Sequence, residues 1–384
     1  MKIALLATTG LYPIEIGGPP SVAYFISREL GRRGAVVYLL ARFKSHLKLH
    51  LFLQSKQYKE LIQNNVKVIP LVLKDYSFVN LARALRLTFL VTSYMRKLIN
   101  KGVRIVIYNA PPVDISLLVP LISRARRIKQ VFILHGGLFY ESKNCLGRLI
   151  MSLEKGIFDA VITPSEVSKE VALNFGFKKE KVKVIPNGID LHRLKTVAPL
   201  KLDGHPKILY VGRLAPIKDI PTLLLAFKAL KIDYPNARLY IVGDGPDKPR
   251  LKKIVSQVNL SNSVSFEGEV PTNRAYSYYK SCDIFILPSL RENFPIAILE
   301  AMASNIPVIA SRSAVPHGLI RSGYNGLLFE EGDWKELVRL MREVLSNKEL
   351  SNRLIRNAYE TVKEFTWRRI GGIYFSLFNS FINS

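Results

Sequence analysis

The chain has 384 residues, 48% of them hydrophobic, and its 56 Lys and Arg against 30 Asp and Glu give a formal charge of +26. At about 150 residues per domain this length predicts two or three cores, and the apolar content excludes a disordered chain. The two cysteines, Cys145 and Cys282, exclude a disulfide framework or a cysteine-based metal site and fit a reducing compartment.

In chain order, Met1-Lys2-Ile3-Ala4-Leu5-Leu6-Ala7 runs into polar Thr8-Thr9-Gly10 without a cleavage site, so it reads as a first β-strand rather than a signal peptide. Apolar runs at 36–41, 66–72, 104–108, 130–134, 160–163 and 183–186 predict further strands with helical stretches between them. The pattern starts afresh at 206–211 and continues at 238–242, 264–266, 284–287 and 307–310. Such alternation predicts parallel sheets built from βαβ units. Pro186-Asn187-Gly188-Ile189-Asp190 is a turn signal and 191–205 an irregular linker, so the domains are expected at 1–195 and 196–366. No run approaches the ~18 uninterrupted apolar residues of a membrane span, and a soluble or peripheral protein is expected.

The most informative stretch is Pro288-Ser289-Leu290-Arg291-Glu292-Asn293-Phe294-Pro295, followed by Ile296-Ala297-Ile298-Leu299-Glu300. Strand 283–287 closes at Pro288, Asn293 suits a helix N-cap, and Pro295 suits the first helical turn. Glu292 then lies just before the helix and Glu300 a turn and a half inside it, roughly 12 Å away if the spacing is helical throughout. A carboxylate beside an open helix N-terminus, at the carboxyl edge of a sheet, makes a ligand pocket in doubly wound folds. Acids at a helix start also simply favour its dipole.

Three other turns follow strands. In Gly212-Arg213-Leu214-Ala215-Pro216-Ile217-Lys218-Asp219 the glycine lets backbone N–H groups approach a phosphate, which Arg213 can grip bidentately while Lys218 adds a point charge. Gly243-Asp244-Gly245-Pro246 is a second glycine turn, and His135-Gly136 ends strand 130–134. In the N-terminal part, Gly17-Gly18-Pro19-Pro20 precedes a helix expected to begin at Ser21. The spaced Gly-x-Gly-x-x-Gly of dinucleotide binding is missing there, which argues against a dehydrogenase.

Glu292 and Glu300 beside Leu287-Pro288-Ser289, with Glu300-Ala301-Met302-Ala303 and Ile306-Pro307-Val308-Ile309-Ala310 behind them, resemble the hallmark of family 4 glycosyltransferases. The resemblance implies a retaining, nucleotide-sugar-dependent enzyme of the GT-B fold, two Rossmann-like doubly wound parallel-sheet domains facing a central cleft. It implies that helix 367–384 can return to the first domain. The donor would be a UDP- or GDP-sugar, with Arg213 and Lys218 on its diphosphate and Gly17, Gly18 and Gly243 lining the site. The backbone of Asn293, Phe294 and Pro295, with His135 and Glu292, would meet the sugar, and Glu300 would hold the ribose. No cofactor is implied and, with no Asp-x-Asp, no metal. Two departures stand out: Pro295 replaces a frequent glycine, and His317 a usual glutamate. A nucleotide-sugar epimerase on the same fold, or a non-enzymatic basic membrane- or nucleic-acid-binding protein, are the rival readings.

Residues 1–130 hold 21 Lys and Arg against 5 Asp and Glu, a net of +16, which calls for an acidic partner. Read as a helix, 80–100 brings Arg83, Arg86 and Lys97 to one face, with Leu81, Leu85 and Phe89 expected opposite. Lys44, Lys48, Arg124, Arg126 and Arg127 extend the basic set, beside Leu47, Leu49 and Phe52. An anionic membrane on its cytoplasmic side, docked if about four to six of these side chains face one plane, and a lipid-linked or glycan acceptor are expected. Nucleic acid is not, since no helix-turn-helix, zinc spacing or RNA-binding aromatic motif occurs.

Overall fold

A computed structural model describes residues 1–7, 11–12, 18–72, 81–109, 118–135 and 156–383, the side chains of 81–88 and 118 excepted. The chain divides into two compact units, Met1–Asn187 with Trp367–Ser384, and Gly188–Thr366.

The first unit is a seven-stranded sheet of order β3-β2-β1-β4-β5-β6-β7, every pair parallel. Its strands are β1 (Lys2–Ala7), β2 (Val36–Phe43), β3 (Val66–Val72), β4 (Ile105–Tyr108), β5 (Lys129–Ile133), β6 (Ala160–Thr163) and β7 (Val182–Val184). Between them run α1 (Gly18–Arg32), α2 (His46–Gln54), α3 (Lys56–Gln63), α4 (Leu81–Asn100), α5 (Leu118–Ala125) and α6 (Glu166–Asn174). Side chains alternate across the pleat, so Ile3, Leu5 and Ala7 pack into one core with α1 and Phe52 of α2, while Ala4 and Leu6 face Val91, Met95 and Leu98 of α4. Helices α2 and α4 therefore cover opposite faces of the sheet. Helix α1 begins at Gly18, earlier than Ser21, because Pro19 and Pro20 occupy first-turn positions where a missing N–H costs nothing.

The second unit has α7 (Leu191–Lys195), α8 (Ile220–Leu230), α9 (Lys248–Gln257), α10 (Thr272–Tyr279), α11 (Ile296–Ala303), α12 (Trp334–Ser346) and α13 (Lys348–Val362). Its sheet, order β10-β9-β8-β11-β12-β13, consists of β8 (Lys207–Val211), β9 (Arg238–Val242), β10 (Val264–Gly268), β11 (Ile284–Leu287), β12 (Val308–Ser311) and β13 (Leu327–Phe329), again all parallel. Strand β13, only three residues long, is too short for a periodicity to announce it. The unit begins at Gly188 rather than at 196, because Ile189 and Leu194 are buried in the second core.

Helix α14 (Trp367–Asn383) belongs to the first unit. Trp367 stacks on Phe25 of α1 with ring centroids 5.0 Å apart and planes 11° from parallel. Arg33 Nη2 donates to the Arg368 carbonyl at 2.5 Å, and a Cβ on Gly371 would lie 2.3 Å from the Cβ of Glu29. Glycine at 371 is what lets the two helices approach this closely.

Candidate functional site

In each sheet the strand order reverses direction between neighbours, at β1/β4 and at β8/β11. The crevice outside the carboxyl ends at such a switch point is where open α/β sheets bind ligands. In the second unit the loops that follow these two strands are 212–219 and 288–295. Leu290 N–H donates to the Ile217 carbonyl at 2.9 Å, tying the loops to each other.

That tie brings Lys218 and Glu292 together as an ion pair in which both side chains are largely buried, 18% and 15% exposed. The same Glu292 Oε1 accepts from Ser289 Oγ at 2.9 Å. Ser289 is itself held, since its carbonyl accepts from the hydroxyl of Ser311 at the end of β12. Three consecutive strands, β8, β11 and β12, thus supply the parts that place one carboxylate. The Tyr210 hydroxyl donates to the Arg213 carbonyl at 3.1 Å, and burial, reinforced by the charge of Glu292, pushes that phenol well above its usual pKa. Arg213 is exposed on the same loop as Lys218.

Asn293 is not the N-cap of the following helix. Helix α11 starts at Ile296 with Pro295 as its cap residue and no side-chain cap bond. A residue before proline is steered away from helical backbone, so Phe294 cannot begin the helix. The 292–300 spacing is accordingly not helical throughout, and the first N–H groups of α11 have no side-chain acceptor from the cap residue. Glu300 sits within α11, where Tyr279 Oη donates to its Oε2 at 3.0 Å. Burial pushes the Glu300 carboxyl up to about 7, and the tyrosine bond draws it back.

Gly243 has φ +132°, and a Cβ there would lie 2.0 Å from the Gly212 carbonyl oxygen. Its neighbours zip the two glycine turns together, Gly212 N–H donating to the Val242 carbonyl at 3.0 Å and Leu214 N–H to the Asp244 carbonyl at 2.9 Å. Gly243 therefore serves the close packing of the 212–219 loop.

In the first unit, His135 follows β5 by two residues and Asn109 directly follows β4. His135 Nε2 lies 2.8 Å from Asn109 Oδ1, and Asn109 Nδ2 donates to the Pro19 carbonyl at 2.9 Å. Burial pushes the imidazole down to about 4, so it is neutral at pH 7. Gly18 opens α1 beside Pro19, whereas Gly17 and Gly136 lie outside the described residues. Asn109, Ser289, Ser311 and Tyr279 all escape a reading of sequence. Ser289 stands inside the hallmark stretch, but the others are single polar residues whose partners are remote in the chain.

On α4, Arg83 and Arg86 lie outside the described side chains, and Lys97 is exposed. Phe89 is 77% exposed, beside Leu90 at 41%, and α5 adds Leu121 at 55%. Phe52 is fully buried, so it is unavailable to a membrane. Lys48 on α2 belongs to the other face of the sheet, and Arg124 to Arg127 stand where α5 ends just before β5, at the edge opposite to Lys44. Lys44 and Lys48 are thereby separated from the cations of α4 and α5, which are the ones left to share a plane. Among the described residues no helix is long and apolar enough to cross a membrane, and no group of three or more His, Cys, Asp or Glu could hold a metal ion.

The glycosyl transferases group 1 model matches residues 195–361, and the Glycosyltransferase Family 4 model matches 16–193. The chain belongs to the group 1 glycosyltransferases. It is 29% identical over 226 residues to a lipopolysaccharide core biosynthesis glycosyltransferase of Rhizobium meliloti, covering 58% of this chain and 64% of that one. It is 28% identical over 224 residues to an alpha-monoglucosyldiacylglycerol synthase of Acholeplasma laidlawii, covering 58% and 53%. These matches span a little over half to just under two thirds of the relatives' own length. The crystal structure of Anabaena HepE in complex with UDP-glucose superposes with a TM-score of 0.74 at 21% identity, covering 99% of this chain and all of that one. With its two parallel-sheet units, the group 1 chain has the GT-B fold.

Proposed function

We propose that the protein transfers a sugar from a nucleoside diphosphate sugar to an acceptor hydroxyl with retention at the anomeric carbon. The observation that carries this reading is the Lys218–Glu292 pair, locked between two loops of a switch point and set before a helix without a side-chain cap. Cations and a helix N-terminus suit a diphosphate, and a fixed carboxylate suits the sugar beside it. Arg213 and Lys218 would stabilise the charge that grows on the leaving diphosphate, and the α11 N-terminus adds its dipole. Glu292, held on Oε1 by Lys218 and Ser289, would meet the sugar and steady positive charge at its reacting carbon. Glu300, oriented by Tyr279, would accept from the ribose hydroxyls, and Asn293, Phe294 and Pro295 would line the sugar pocket. A UDP- or GDP-linked donor fits, and HepE, a structure of the same fold, is described with UDP-glucose.

For the acceptor, one relative is named for making a glucosyldiacylglycerol, and this supports a lipid-linked or membrane-proximal hydroxyl. Docking would use the α4–α5 flank, where exposed Phe89, Leu90 and Leu121 accompany exposed Arg96, Lys97 and Arg124 on packed neighbouring helices. Apolar side chains entering a headgroup layer beside cations that meet anionic lipid make an interfacial surface. The test is a panel of UDP- and GDP-sugars, read first by thermal shift and then by transfer to lipid and glycan acceptors, with the anomeric configuration read by NMR. A stabilising donor and an α-linked product from an α-donor are expected. An inverted product, or epimerised free donor without transfer, would overturn the reading.

A further inference from the structure

We propose that Asn109 is a positioning residue for this reaction, fixing the His135 ring as its Nε2–H tautomer so that Nδ1 keeps a lone pair for a ligand hydroxyl. The proposal rests on the reading of His135 as a site residue.

The argument begins at Pro19. Its carbonyl can only accept, so the group of Asn109 that faces it at 2.9 Å must be the NH2, which determines the orientation of the amide. Oδ1 then faces His135 Nε2 at 2.8 Å, and because Oδ1 can only accept, Nε2 must carry the hydrogen. One acceptor-only carbonyl at the start of α1 thereby decides, through one amide, which nitrogen of an imidazole at the end of β5 is protonated. Asn109 is completely buried and directly follows β4, at the switch point of the first sheet, so it cannot turn away into water. His135 lies two residues beyond the carboxyl end of β5, the edge of the sheet where such folds bind ligands. Its low pKa follows from burial, so the ring stays neutral and Nδ1 stays an acceptor at physiological pH. A hydroxyl donating to Nδ1 would find a fixed ring plane and a fixed tautomer, with no proton to rearrange first.

The same polar chain spans the first turn of α1, the end of β4 and the end of β5. Loss of Asn109 would therefore release the ring and its tautomer together, although neither residue is charged.

The experiment uses the full-length protein with 15N-labelled histidine. Long-range 1H–15N spectra report the tautomer of each ring, and His135→Ala identifies the resonance. Wild type should show a ring that stays neutral from about pH 5.5 to 8 with Nε2 protonated. Asn109→Ala should mix the tautomers and lower kcat by about tenfold or more, the scale of one lost orienting hydrogen bond, with a smaller change in donor KM. Asn109→Asp keeps the shape, replaces the amide by a carboxylate and should raise the His135 pKa. Its activity should fall at neutral pH and recover as pH rises past the new value, a rescue that a purely structural role would not give. A wild-type ring protonated on Nδ1, or a tautomer unchanged in Asn109→Ala, would overturn the proposal. A changed tautomer with unchanged turnover would overturn the part assigned to His135 and with it the positioning role. The spectra do not depend on transferase activity, so failure of the functional reading is seen separately, as a wild type without turnover.

Discussion

Lys218 and Glu292 neutralise each other, yet each is proposed to act on a different part of one ligand. A diphosphate entering the loop would share Lys218 with Glu292. Replacing Lys218 or Arg213 by Ala should lower turnover by roughly 10²-fold, the scale for losing one transition-state charge stabiliser. Steady-state kinetics with the identified donor check this, and near-normal turnover in both variants would remove the diphosphate assignment. Glu300 gives a pH signature. A carboxylate accepts from both ribose hydroxyls, whereas the protonated acid presents one acceptor fewer, so nucleoside diphosphate binding should tighten as pH rises through about 7. Calorimetry across that range checks it, with Glu300→Gln expected to flatten the dependence. Stability should run the other way. Because the folded carboxyl binds its proton more tightly than an ordinary glutamate of pKa 4.5, the folded state holds more protons between about 4.5 and 7. This contribution to stability is present at the acid end and is lost as pH rises through that window.

At the scale of elements, the site depends on close backbone approaches that only glycine allows. Gly243→Ala would drive a Cβ into the Gly212 carbonyl oxygen, 2.0 Å away, at a φ of +132° that side chains avoid. A loss of about 2–4 kcal/mol in unfolding free energy is expected from the combined clash and strain, with donor binding weakened because the 212–219 loop shifts. Denaturant titration and a nucleotide binding isotherm read the two effects. Gly371→Ala tests a different contact, the seat of α14 on α1. The added methyl meets Glu29, whose carboxylate is buried and shared by Arg28, Arg32 and Arg33, so it cannot yield easily. Limited proteolysis should then cut before Trp367 faster than in wild type. Most strands were legible as apolar runs, because burial on both faces of a parallel sheet leaves little polar interruption. The start of α11 was not, because a proline that suits a first turn also steers the residue before it out of helix.

For the whole molecule, the uneven charge acquires an address. Lys44 and Lys48 stand apart from the cations of α4 and α5, where Arg96, Lys97 and Arg124 stand with Phe89, Leu90 and Leu121 on one flank. In the proposed docking these three cations would contribute about 1 kcal/mol each, with the apolar groups adding burial. Pelleting should require anionic vesicles, weaken with salt, and weaken further for Lys97→Glu and for Phe89→Ser. Exchange of Lys48 on the other face should leave it unchanged. Equal binding to neutral and anionic vesicles, or none, would leave this flank as a solvated surface. Activity with a soluble acceptor is expected to persist in a strong chelator, since side chains and a helix N-terminus are proposed to meet the diphosphate charge. Loss in chelator with restoration by magnesium or manganese would show otherwise.

Sequence alone determined the two parallel sheets, β13 apart, and the turns at 212–219 and 288–295, because these follow from local patterns of burial and turn chemistry; the reading of those turns as a nucleotide-sugar site came from the family resemblance. Tertiary structure decided the rest: that Ser289 and Ser311 brace Glu292, that Asn109 sets the His135 ring, that Phe89 is exposed, and that the basic residues divide between faces. Each of these depends on which strands lie side by side and which face a helix covers. A strand order such as 3-2-1-4 places residues far apart in the chain at one edge, and no periodicity within a single segment carries that information.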